Sequence, residues 1–451
     1  MDNDINYQQW VEAQRNKICE WRRSNSKKKF VGERGYLHFD GKIFFRDHID
    51  TGGHSINEIL RSTDAIVRHR FLPFIRDDQR VRKFRDKKEI TSLGCVRKHS
   101  QRFPTIKNRP IMFAAHRDAC IYSFYGEILT RPYELILKNK KLDDAVLAYR
   151  KICNKTTGRN KSNIDLAQDF HKKIMSYDKV GILMADMSSF FDTIDHKRLA
   201  DRWKETLGLD ILPPDHTAIL KSLTRYRYVF KREIYKALNL SDKKTKELSK
   251  SRLAALCGSK QFNQNIKKAG LIRQNRSGRG IPQGSPISGL LANIYMTIFD
   301  EKMHDYVVSR GGHYGRYSDD IVVLIDESLL FDTYEFMKTL IKDEGIKINN
   351  KKTDCFTFNK ATGEFINALN VLGIDNPLNN KQRPQYLGFM YGSKDMFLRS
   401  ATLARRFRGN NKLDKNRWNY FRLAQQKTHS KPMAKQIIKV RNKIKRKQDE
   451  Q

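Results

Sequence analysis

The stretch His313–Ile325 reads HYGRYSDDIVVLI and decides the fold. Two runs, His313–Tyr317 and Ile321–Ile325, flank the polar corner Ser318–Asp320. Two strand-like runs on either side of a short polar corner predict two antiparallel strands joined by a tight turn. The sequence therefore predicts a β-hairpin with two adjacent carboxylates at its tip.

A further strand and a helix are predicted upstream of this hairpin. The run Val180–Ala185 is continuously apolar and ends at Asp186, as expected for a buried strand with a polar residue at its exit. Ser285 and Pro286 predict an N-cap and a first helical position, and apolar residues recur at helical spacing over 287–299. Between Val180 and Leu324 the pattern therefore alternates between strand and helix.

The charge balance of the chain is strongly basic. Its 451 residues include 88 Lys plus Arg against 50 Asp plus Glu, a formal net charge of +38, with 39% hydrophobic residues. The apolar content supports a folded core, and the charge favours a polyanionic partner such as nucleic acid, because neutralised phosphates release counterions. A merely basic protein without such a partner is the alternative.

Targeting signals and cysteine-based metal-binding signals are missing from the sequence. The six cysteines lie far apart without CxxC spacing, which indicates neither a zinc site nor a disulfide framework. The first residues, MDNDINYQQW, lack the basic and apolar regions of a signal peptide, and no apolar stretch reaches the length of a membrane span. We therefore expect a cytoplasmic protein that does not associate with membranes.

Three aspartates are candidate metal ligands: Asp186, Asp319 and Asp320. Nucleotidyl transfer builds charge on the attacking and leaving oxygens, and divalent ions held by carboxylates stabilise both. An Asp-Asp pair is weak support by itself, because 77–78 and 143–144 are also Asp-Asp pairs. Only the pair at 319–320 lies between apolar strands.

In combination, the motifs resemble those of reverse transcriptases. In chain order they are RPI at Arg109–Ile111 followed by Asp118, ADMSSFFDTIDH at Ala185–His196, RGIPQGSPIS at Arg279–Ser288, YSDD at Tyr317–Asp320, GIKINNKKT at Gly345–Thr353 and LGF at Leu387–Phe389. The first is similar to the family's fingers segment and the others to its motifs A to E. Because the motifs occur in the family's order, the chain is identified as a member of that family.

The resemblance implies an active site and its ligands. Asp186, Asp319 and Asp320 are the catalytic and metal-binding carboxylates, and the backbone carbonyl of Met187 is a further ligand. The expected metal is Mg²⁺, as two ions, with Mn²⁺ as a substitute.

Five further residues are implied to bind the nucleotide. They are Arg109 as a triphosphate clamp, Phe191 beneath the sugar as a gate against ribonucleotides, Gln283 and Gly284 beside the template base and incoming nucleotide, and Lys352 as a proton donor to pyrophosphate. Each has a plainer alternative: Arg109 and Lys352 as surface residues, Gln283-Gly284 as an ordinary turn, and Phe191 as core. We expect Phe190 to be core and Asp195 to cap the helix that begins at His196.

The implied fold is α+β, a right-hand polymerase with fingers, palm and thumb. The expected divisions are an N-terminal extension over 1–60, fingers over 61–179, palm over 180–196 and 276–394, a helical connection over 197–275, and a basic helical thumb and tail over 395–451. Residues 401–451 hold 16 Lys or Arg against 3 Asp or Glu, a net charge of +13. This charge predicts nucleic-acid backbone contacts by Lys439, Arg441, Lys443, Lys445 and Arg446, unless the segment is only a solvated tail.

Within the family, the chain resembles the free-standing bacterial enzymes of the abortive-infection and unknown groups, which act in antiphage defence. The NAxxH and VTG elements of retron enzymes are missing, and the chain after the LGF motif is short for an RNase H or maturase segment. The expected partners are an RNA template, which we take to be a structured noncoding RNA, together with dNTPs and a cDNA product. The alternatives are a retron-like or group II intron-derived enzyme, an RNA-dependent RNA polymerase, and a nucleic-acid-binding protein with an inactive polymerase fold.

Overall fold

The structure is a computed structural model that describes residues 59–60, 62–90, 96–241, 256–374, 381–407 and 415–449. Nearly all of the predicted N-terminal extension lies outside the described residues. The strands are β1 Phe74–Ile90, β2 Val96–Phe113, β3 Lys179–Asp186, β4 Arg227–Phe230, β5 Arg273–Gln274, β6 His313–Tyr317, β7 Asp320–Ile325, β8 Asp354–Asn359, β9 Glu364–Asn367, β10 Gln385–Tyr386, β11 Phe389–Tyr391 and β12 Met396–Leu398.

Helices make up most of the remaining described chain. They are α1 Thr63–Arg68, α2 His116–Asn139, α3 Asn163–Met175, α4 Phe190–Thr193, α5 His196–Leu207, α6 Pro214–Thr224, α7 Lys231–Ala237, α8 Ser259–Gln261, α9 Ser288–Tyr295, α10 Thr297–Val308, α11 Leu330–Asp343, α12 Ser400–Phe407, α13 Lys415–Thr428 and α14 Lys431–Asp449. A π-helix covers Phe262–Lys267, and 3₁₀ turns cover Glu327–Leu329, Asn350–Lys352 and Leu369–Leu372. In the described part of the chain, no helix combines the length and the apolar character that a bilayer crossing requires.

The chain divides into two compact units. Of the described residues, the first unit takes in those up to Lys87 together with those of His99–Lys141 and Ser189–Thr297. The second takes in those of Lys88–Lys98 and Leu142–Ser188 and those from Ile298 onward. The predicted boundaries of fingers, palm and thumb stay predictions.

The main sheet of the second unit has five strands in the order β6-β7-β3-β8-β9, all paired antiparallel. The central strand β3 is buried from Val180 to Asp186, because both of its faces are covered, and this explains its continuous apolar run. On β3, Gly181 leaves room for Leu330, whose Cγ would lie 2.6 Å from an added Cβ. The predicted strand and the predicted hairpin are both confirmed.

Helices α3, α13 and α14 pack into the same core as this sheet through Phe170, Phe421 and Met433. Lys427 on α13 forms an ion pair with Asp165 on α3. The small sheet β10-β11-β12 also belongs to this unit. Ser430, immediately before the first residue of α14, is fixed to this small sheet, because its hydroxyl donates to the Met396 carbonyl at 2.8 Å. The C-terminal segment, predicted to be helical, is helical over Ser400–Phe407, Lys415–Thr428 and Lys431–Asp449.

The first unit combines helices with a sheet of order β2-β1-β4-β5. Its helices are joined by buried polar contacts: the Tyr125 hydroxyl donates to Asp215 at 2.6 Å, and the Trp203 indole donates to His216 at 3.1 Å. The connection predicted to be helical over 197–275 is not helical throughout, because it contributes β4 and β5. These strands form one sheet with β1 and β2 of the segment predicted as fingers.

The helix predicted over 287–299 also differs from the structure. It begins three residues after the predicted N-cap, at Ser288, and stops at Tyr295, and α10 begins at Thr297. Ser285 does not cap it, and among the described residues the Ser285 hydroxyl is buried without a hydrogen-bond partner. The Ser288 hydroxyl instead donates to the Pro282 carbonyl at 2.7 Å, which holds residues 282–287 in turns.

Candidate active site

The sheet of the second unit places two of the three predicted carboxylates opposite each other. In the antiparallel pairing of β3 and β7, Asp186 is the partner of Asp320, at the end of a ladder that starts with Gly181 opposite Ile325. On its other edge β3 also pairs in register with β8, from Lys179 opposite Asn359 to Met184 opposite Asp354, so the strand that carries Asp186 is held on both sides. Asp319 immediately precedes Asp320 in the turn, so all three aspartates lie at one end of the sheet.

The hairpin turn has an unusual backbone conformation. Ser318 has a φ of +62°, in the left-handed region that costs an L-residue about 1–2 kcal/mol. The amide of Met187, the residue after Asp186, donates to the Asp319 carbonyl at 2.9 Å. This hydrogen bond joins the turn to the end of β3. The backbone that carries the two predicted carboxylates is therefore fixed to the sheet.

Asp186 is buried and is already partnered by a cation. It is 8% exposed, and Nζ of Lys352 lies 2.5 Å from each of its carboxylate oxygens. Asn349 adds two contacts: its amide donates to the Asp186 carbonyl at 2.8 Å, and its side chain lies 3.4 Å from Oδ2. The structure therefore brings Lys352 of the predicted site onto the carboxylate of Asp186.

The three carboxylates repel one another. The pKa of Asp320 is raised to about 7, first by desolvation and then by the charges of Asp319 and Asp186, while Lys352 and Arg399 lower it. Solvent still reaches the Asp320 side chain and screens these interactions. The upward direction means that gathering these charges costs free energy when no further cation is present.

The donor chemistry of this site fits a hard divalent cation, which prefers carboxylate and carbonyl oxygens. Across the described residues, however, no three His, Cys, Asp or Glu side chains form a ready-made metal cluster. The ammonium of Lys352 contacts both of the oxygens that Asp186 would offer to a metal. Metal coordination by Asp186, Asp319, Asp320 and the Met187 carbonyl stays a prediction.

Two residues near the carboxylates were missed by sequence reasoning. The Tyr149 hydroxyl lies 2.9 Å from Oγ of Ser318, and the tyrosine is 54% exposed. Arg399 follows β12, its amide donates to the Gly388 carbonyl at 3.1 Å, and its charge acts on Asp320. The residues around Arg399 do not distinguish it from the many other arginines of the chain. Its position shortly after the LGF motif is the signal that could have indicated it.

Four predicted nucleotide-binding residues lie in the first unit. The amide of Met112, near the end of β2, donates to the Gln283 carbonyl at 2.8 Å. Gly284 has a φ of +112°, and a Cβ there would lie 2.9 Å from the Met112 carbonyl oxygen. Gln283 and Gly284 therefore pack against the strand that carries Arg109, whose side chain is exposed.

The adjacent phenylalanines differ in burial. Phe190 is 4% exposed and Phe191 is partly buried, with their ring centroids 5.7 Å apart. The Phe191 carbonyl accepts from the Ile281 amide at 3.0 Å. The core assignment of Phe190 is confirmed, and the gate role of Phe191 stays a prediction. Asp195 caps α5, as predicted, by accepting from the Arg198 amide at 3.0 Å.

The predicted basic residues of the C-terminal segment lie on α14. Lys439 is exposed. The side chains of the other four, Arg441, Lys443, Lys445 and Arg446, lie outside the described residues. Their contacts with nucleic acid stay a prediction.

Comparison with known proteins identifies the family. The sequence profile of the reverse transcriptase (RNA-dependent DNA polymerase) family matches residues 127–391, more than half of the chain. The protein therefore belongs to the reverse transcriptase family, and its α+β fold is that of a right-hand polymerase, as predicted. The matched stretch contains all three carboxylates.

Individual relatives are more distant. The chain is 36% identical over 74 residues to the retron Ec86 reverse transcriptase of Escherichia coli, a match that covers 16% of this chain and 23% of the relative. Among solved structures, it is similar to apo telomerase from Candida tropicalis, with a TM-score of 0.37, 11% identity, and coverage of 76% of this chain and 52% of that one. Telomerase from Candida albicans, in complex with a fragment of telomeric RNA, gives a TM-score of 0.38, 13% identity, and coverage of 78% and 51%. The chain thus spans about half the length of these telomerases.

Proposed function

We propose that the protein is an RNA-directed DNA polymerase that adds deoxynucleotides to a primer 3′ end at Asp186, Asp319 and Asp320. The observation that carries this proposal is the antiparallel register that sets Asp186 opposite Asp320, with Asp319 beside it, in a chain of the reverse transcriptase family. Such a group of oxygens at the exit of a sheet suits phosphoryl transfer, in which positioning and charge stabilisation supply most of the catalysis.

The proposed cofactor is Mg²⁺, as two ions, with Mn²⁺ as a substitute. The carboxylates and the Met187 carbonyl would hold it. When bound, it would neutralise the charge that develops on the attacking and leaving oxygens. Burial, followed by the charges of Asp319 and Asp186, raises the pKa of Asp320, which supports a site suited to added positive charge.

Lys352 is proposed as the proton donor to the pyrophosphate leaving group. Its side chain is 47% exposed and contacts Asp186 in the structure. The ion pair places the ammonium at the end of the sheet that carries the carboxylates. The same contact also offsets part of the negative charge of Asp186.

Substrate binding is proposed for residues of the first unit. The exposed guanidinium of Arg109 suits a triphosphate because it can donate two parallel hydrogen bonds. Gln283 and Gly284 form a backbone surface against β2 beside which the templating base and the incoming nucleotide would lie. Phe191 would lie beneath the sugar.

A primer-extension experiment tests the proposal against the two alternative activities. Purified protein is given a primed RNA template and either dNTPs or NTPs, with Mg²⁺ or with a chelator. We expect extension with dNTPs and Mg²⁺ only. Extension with NTPs alone would indicate an RNA-dependent RNA polymerase, and template binding without any extension would indicate an inactive polymerase fold.

Phe191→Ala is expected to weaken sugar discrimination by roughly tenfold, because a side chain that excludes the 2′-hydroxyl is removed. The measurement is the ratio of kcat/KM for a dNTP and the matching NTP. Phe190→Ala is the neighbouring control, and it should leave this ratio unchanged while lowering the free energy of unfolding by about 3–5 kcal/mol. An unchanged ratio in Phe191→Ala would remove the gate role.

The template is proposed to be a structured noncoding RNA copied into cDNA during antiphage defence in the bacterial cytoplasm. Support comes from the motif resemblance and from the basic chain. The short match to a retron enzyme keeps a retron-like enzyme as the second candidate. Sequencing of RNA and DNA that copurify with the protein tests the template, and plaque counts on cells carrying the active or carboxylate-free protein test the defence role. Equal plaque counts would contradict defence.

The basic residues of α14 are proposed to contact the nucleic-acid backbone. Replacing Lys439, Arg441, Lys443, Lys445 and Arg446 with glutamine should weaken RNA binding and lower the salt dependence of log K by about 0.7–0.9 for each residue that contacts a phosphate. Binding constants measured across a salt series check this.

A control variant removes the same number of charges elsewhere in the second unit. It replaces five exposed lysines, Lys151, Lys155, Lys302, Lys342 and Lys394, and it should change the salt dependence less than the α14 variant. Equal slopes in the two variants would mean that the effect is one of net charge rather than of contacts by α14.

A further inference from the structure

A fully buried ion pair contacts the turn that carries Asp319 and Asp320. Asp300 on α10 and Arg316 on β6 both have side chains with 0% exposure. Nε and Nη2 of Arg316 donate to the two oxygens of Asp300 at 2.7 and 2.6 Å. The hydroxyl of Tyr314, also buried, donates to the same carboxylate at 2.6 Å.

Stability alone is a weak reason for this pair. Removing two charges from water is costly, and a well-packed apolar replacement of a buried pair is often as stable or more so. Arg316 also makes a contact outside the ion pair. Nη1 of Arg316 donates to the carbonyl oxygen of Ser318 at 3.0 Å. A planar guanidinium can hold a carboxylate with two donors and a carbonyl with a third at fixed angles, which the point charge of lysine does not do.

Ser318 is the residue that needs support. Its φ of +62° is one that serine adopts only when the surroundings hold it there. Its carbonyl is bound by Arg316, and its hydroxyl lies 2.9 Å from that of Tyr149. Since Asp319 is the next residue, the Ser318 conformation determines where the two tip carboxylates point.

The backbone of Arg316 is itself fixed on both sides. Its amide donates to the Ala145 carbonyl at 2.7 Å, and its carbonyl accepts from the Leu147 amide at 2.9 Å. On the other edge, Arg316 pairs in register with Ile321 of β7. The guanidinium therefore extends from a fixed backbone. Because it binds both the Asp300 carboxylate and the Ser318 carbonyl, it fixes the position of the turn relative to Asp300.

We infer that the Asp300–Arg316 pair is a positioning device that holds Ser318 in its left-handed conformation and so aims Asp319 and Asp320. Arg316 is a positioning residue and does not touch the substrate. The inference rests on the proposed function, which gives the two carboxylates their role.

The first test removes the pair without leaving a lone buried charge. The triple variant Tyr314→Phe/Asp300→Leu/Arg316→Met is compared with Tyr314→Phe, which loses one hydrogen bond to Asp300 but keeps the contact with Ser318. We expect the triple variant to keep its Tm within about 5 °C of the control and to lose roughly tenfold or more in kcat. Mn²⁺ binding, followed by electron paramagnetic resonance, should also weaken roughly tenfold. An unchanged kcat and unchanged Mn²⁺ binding in a folded triple variant would overturn the inference.

A rescue experiment keeps the inference testable should the triple variant not fold. Arg316→Lys retains a positive charge for Asp300 but loses the fixed third donor to Ser318, and we expect lower kcat and weaker Mn²⁺ binding. The double variant Arg316→Lys/Ser318→Gly should have nearly the kcat and the Mn²⁺ affinity of Ser318→Gly alone, because glycine populates the left-handed region readily. No recovery would mean that Arg316 acts through fold stability and not through Ser318. An inactive wild-type protein would contradict the proposed function, and the Mn²⁺ measurements would still test the positioning.

Discussion

Replacing both Asp319 and Asp320 with asparagine is expected to abolish nucleotide incorporation, with a loss on the order of a thousandfold or more. Asparagine keeps the shape of each side chain but removes the charge that would hold the metal. Stability should not fall. The raised pKa of Asp320 means that its charged form is disfavoured in the folded protein, so its removal should leave the Tm equal or higher above the pH at which free aspartate ionises.

Another Asp-Asp pair in the same unit is the matched control. Asp143 contacts Arg150 at 3.4 Å and is half exposed, and with Asp144 it forms a pair outside the main sheet. Asp143→Asn/Asp144→Asn should keep incorporation within about threefold of wild type, as expected for surface substitutions. Incorporation by the 319–320 variant at a similar level, with contaminating polymerases excluded, would remove these carboxylates from the mechanism.

Gly284→Ala is expected to lower the free energy of unfolding by about 3 kcal/mol. Its φ of +112° is strained for any residue with a Cβ, and the new carbon would lie 2.9 Å from the Met112 carbonyl oxygen. Because this carbonyl belongs to β2, the collision cannot be relieved by a side-chain rotation. Urea unfolding gives the free energy, and the KM for dNTP should rise in whatever protein remains folded.

Gly278→Ala separates the collision from the backbone strain. Gly278 also has a positive φ, +71°, but no atom lies within 4 Å of the added Cβ among the described residues. It should lose only about 1 kcal/mol, the usual difference between glycine and alanine in the left-handed region. Equal losses in the two variants would mean that β2 moves away from Gly284 without cost.

The strands around the carboxylates could be predicted from sequence because their signal is local. Val180–Ala185 and Ile321–Ile325 are apolar without interruption, since the central strands of the sheet are covered on both faces. Asp186 and Asp320 each stand at the end of such a run. Their positions in the chain therefore sufficed to place both at the end of a sheet, and the motif order indicated the family.

Contacts between distant segments could not be predicted in this way. Lys352 lies 166 positions after Asp186 in the chain, and nothing in its neighbourhood indicates that it pairs with a buried carboxylate. Arg316 is a comparable case. A charged residue within a hairpin strand suggests a solvent-facing side chain, whereas the structure buries it completely against Asp300.

The error at Ser285 has a local physical reason. Serine followed by proline is a common helix start. Here, however, the chain turns before the helix begins, and within this turn Gly284 approaches the Met112 carbonyl. The helix therefore begins only at Ser288, whose amide donates to the Ser285 carbonyl at 3.3 Å. A pattern of helix signals cannot reveal a contact with a strand about 170 residues away.

Template-directed choice of nucleotide is the most direct test of the central claim, that this chain copies RNA into DNA at Asp186, Asp319 and Asp320. Four primed RNA templates that differ only in the first unpaired base are each offered all four dNTPs singly, and single-nucleotide incorporation is measured. We predict that each template directs only its complementary dNTP, and that no template does so with the 319–320 variant. Incorporation that ignores the template base, or that persists in the variant, would contradict the account.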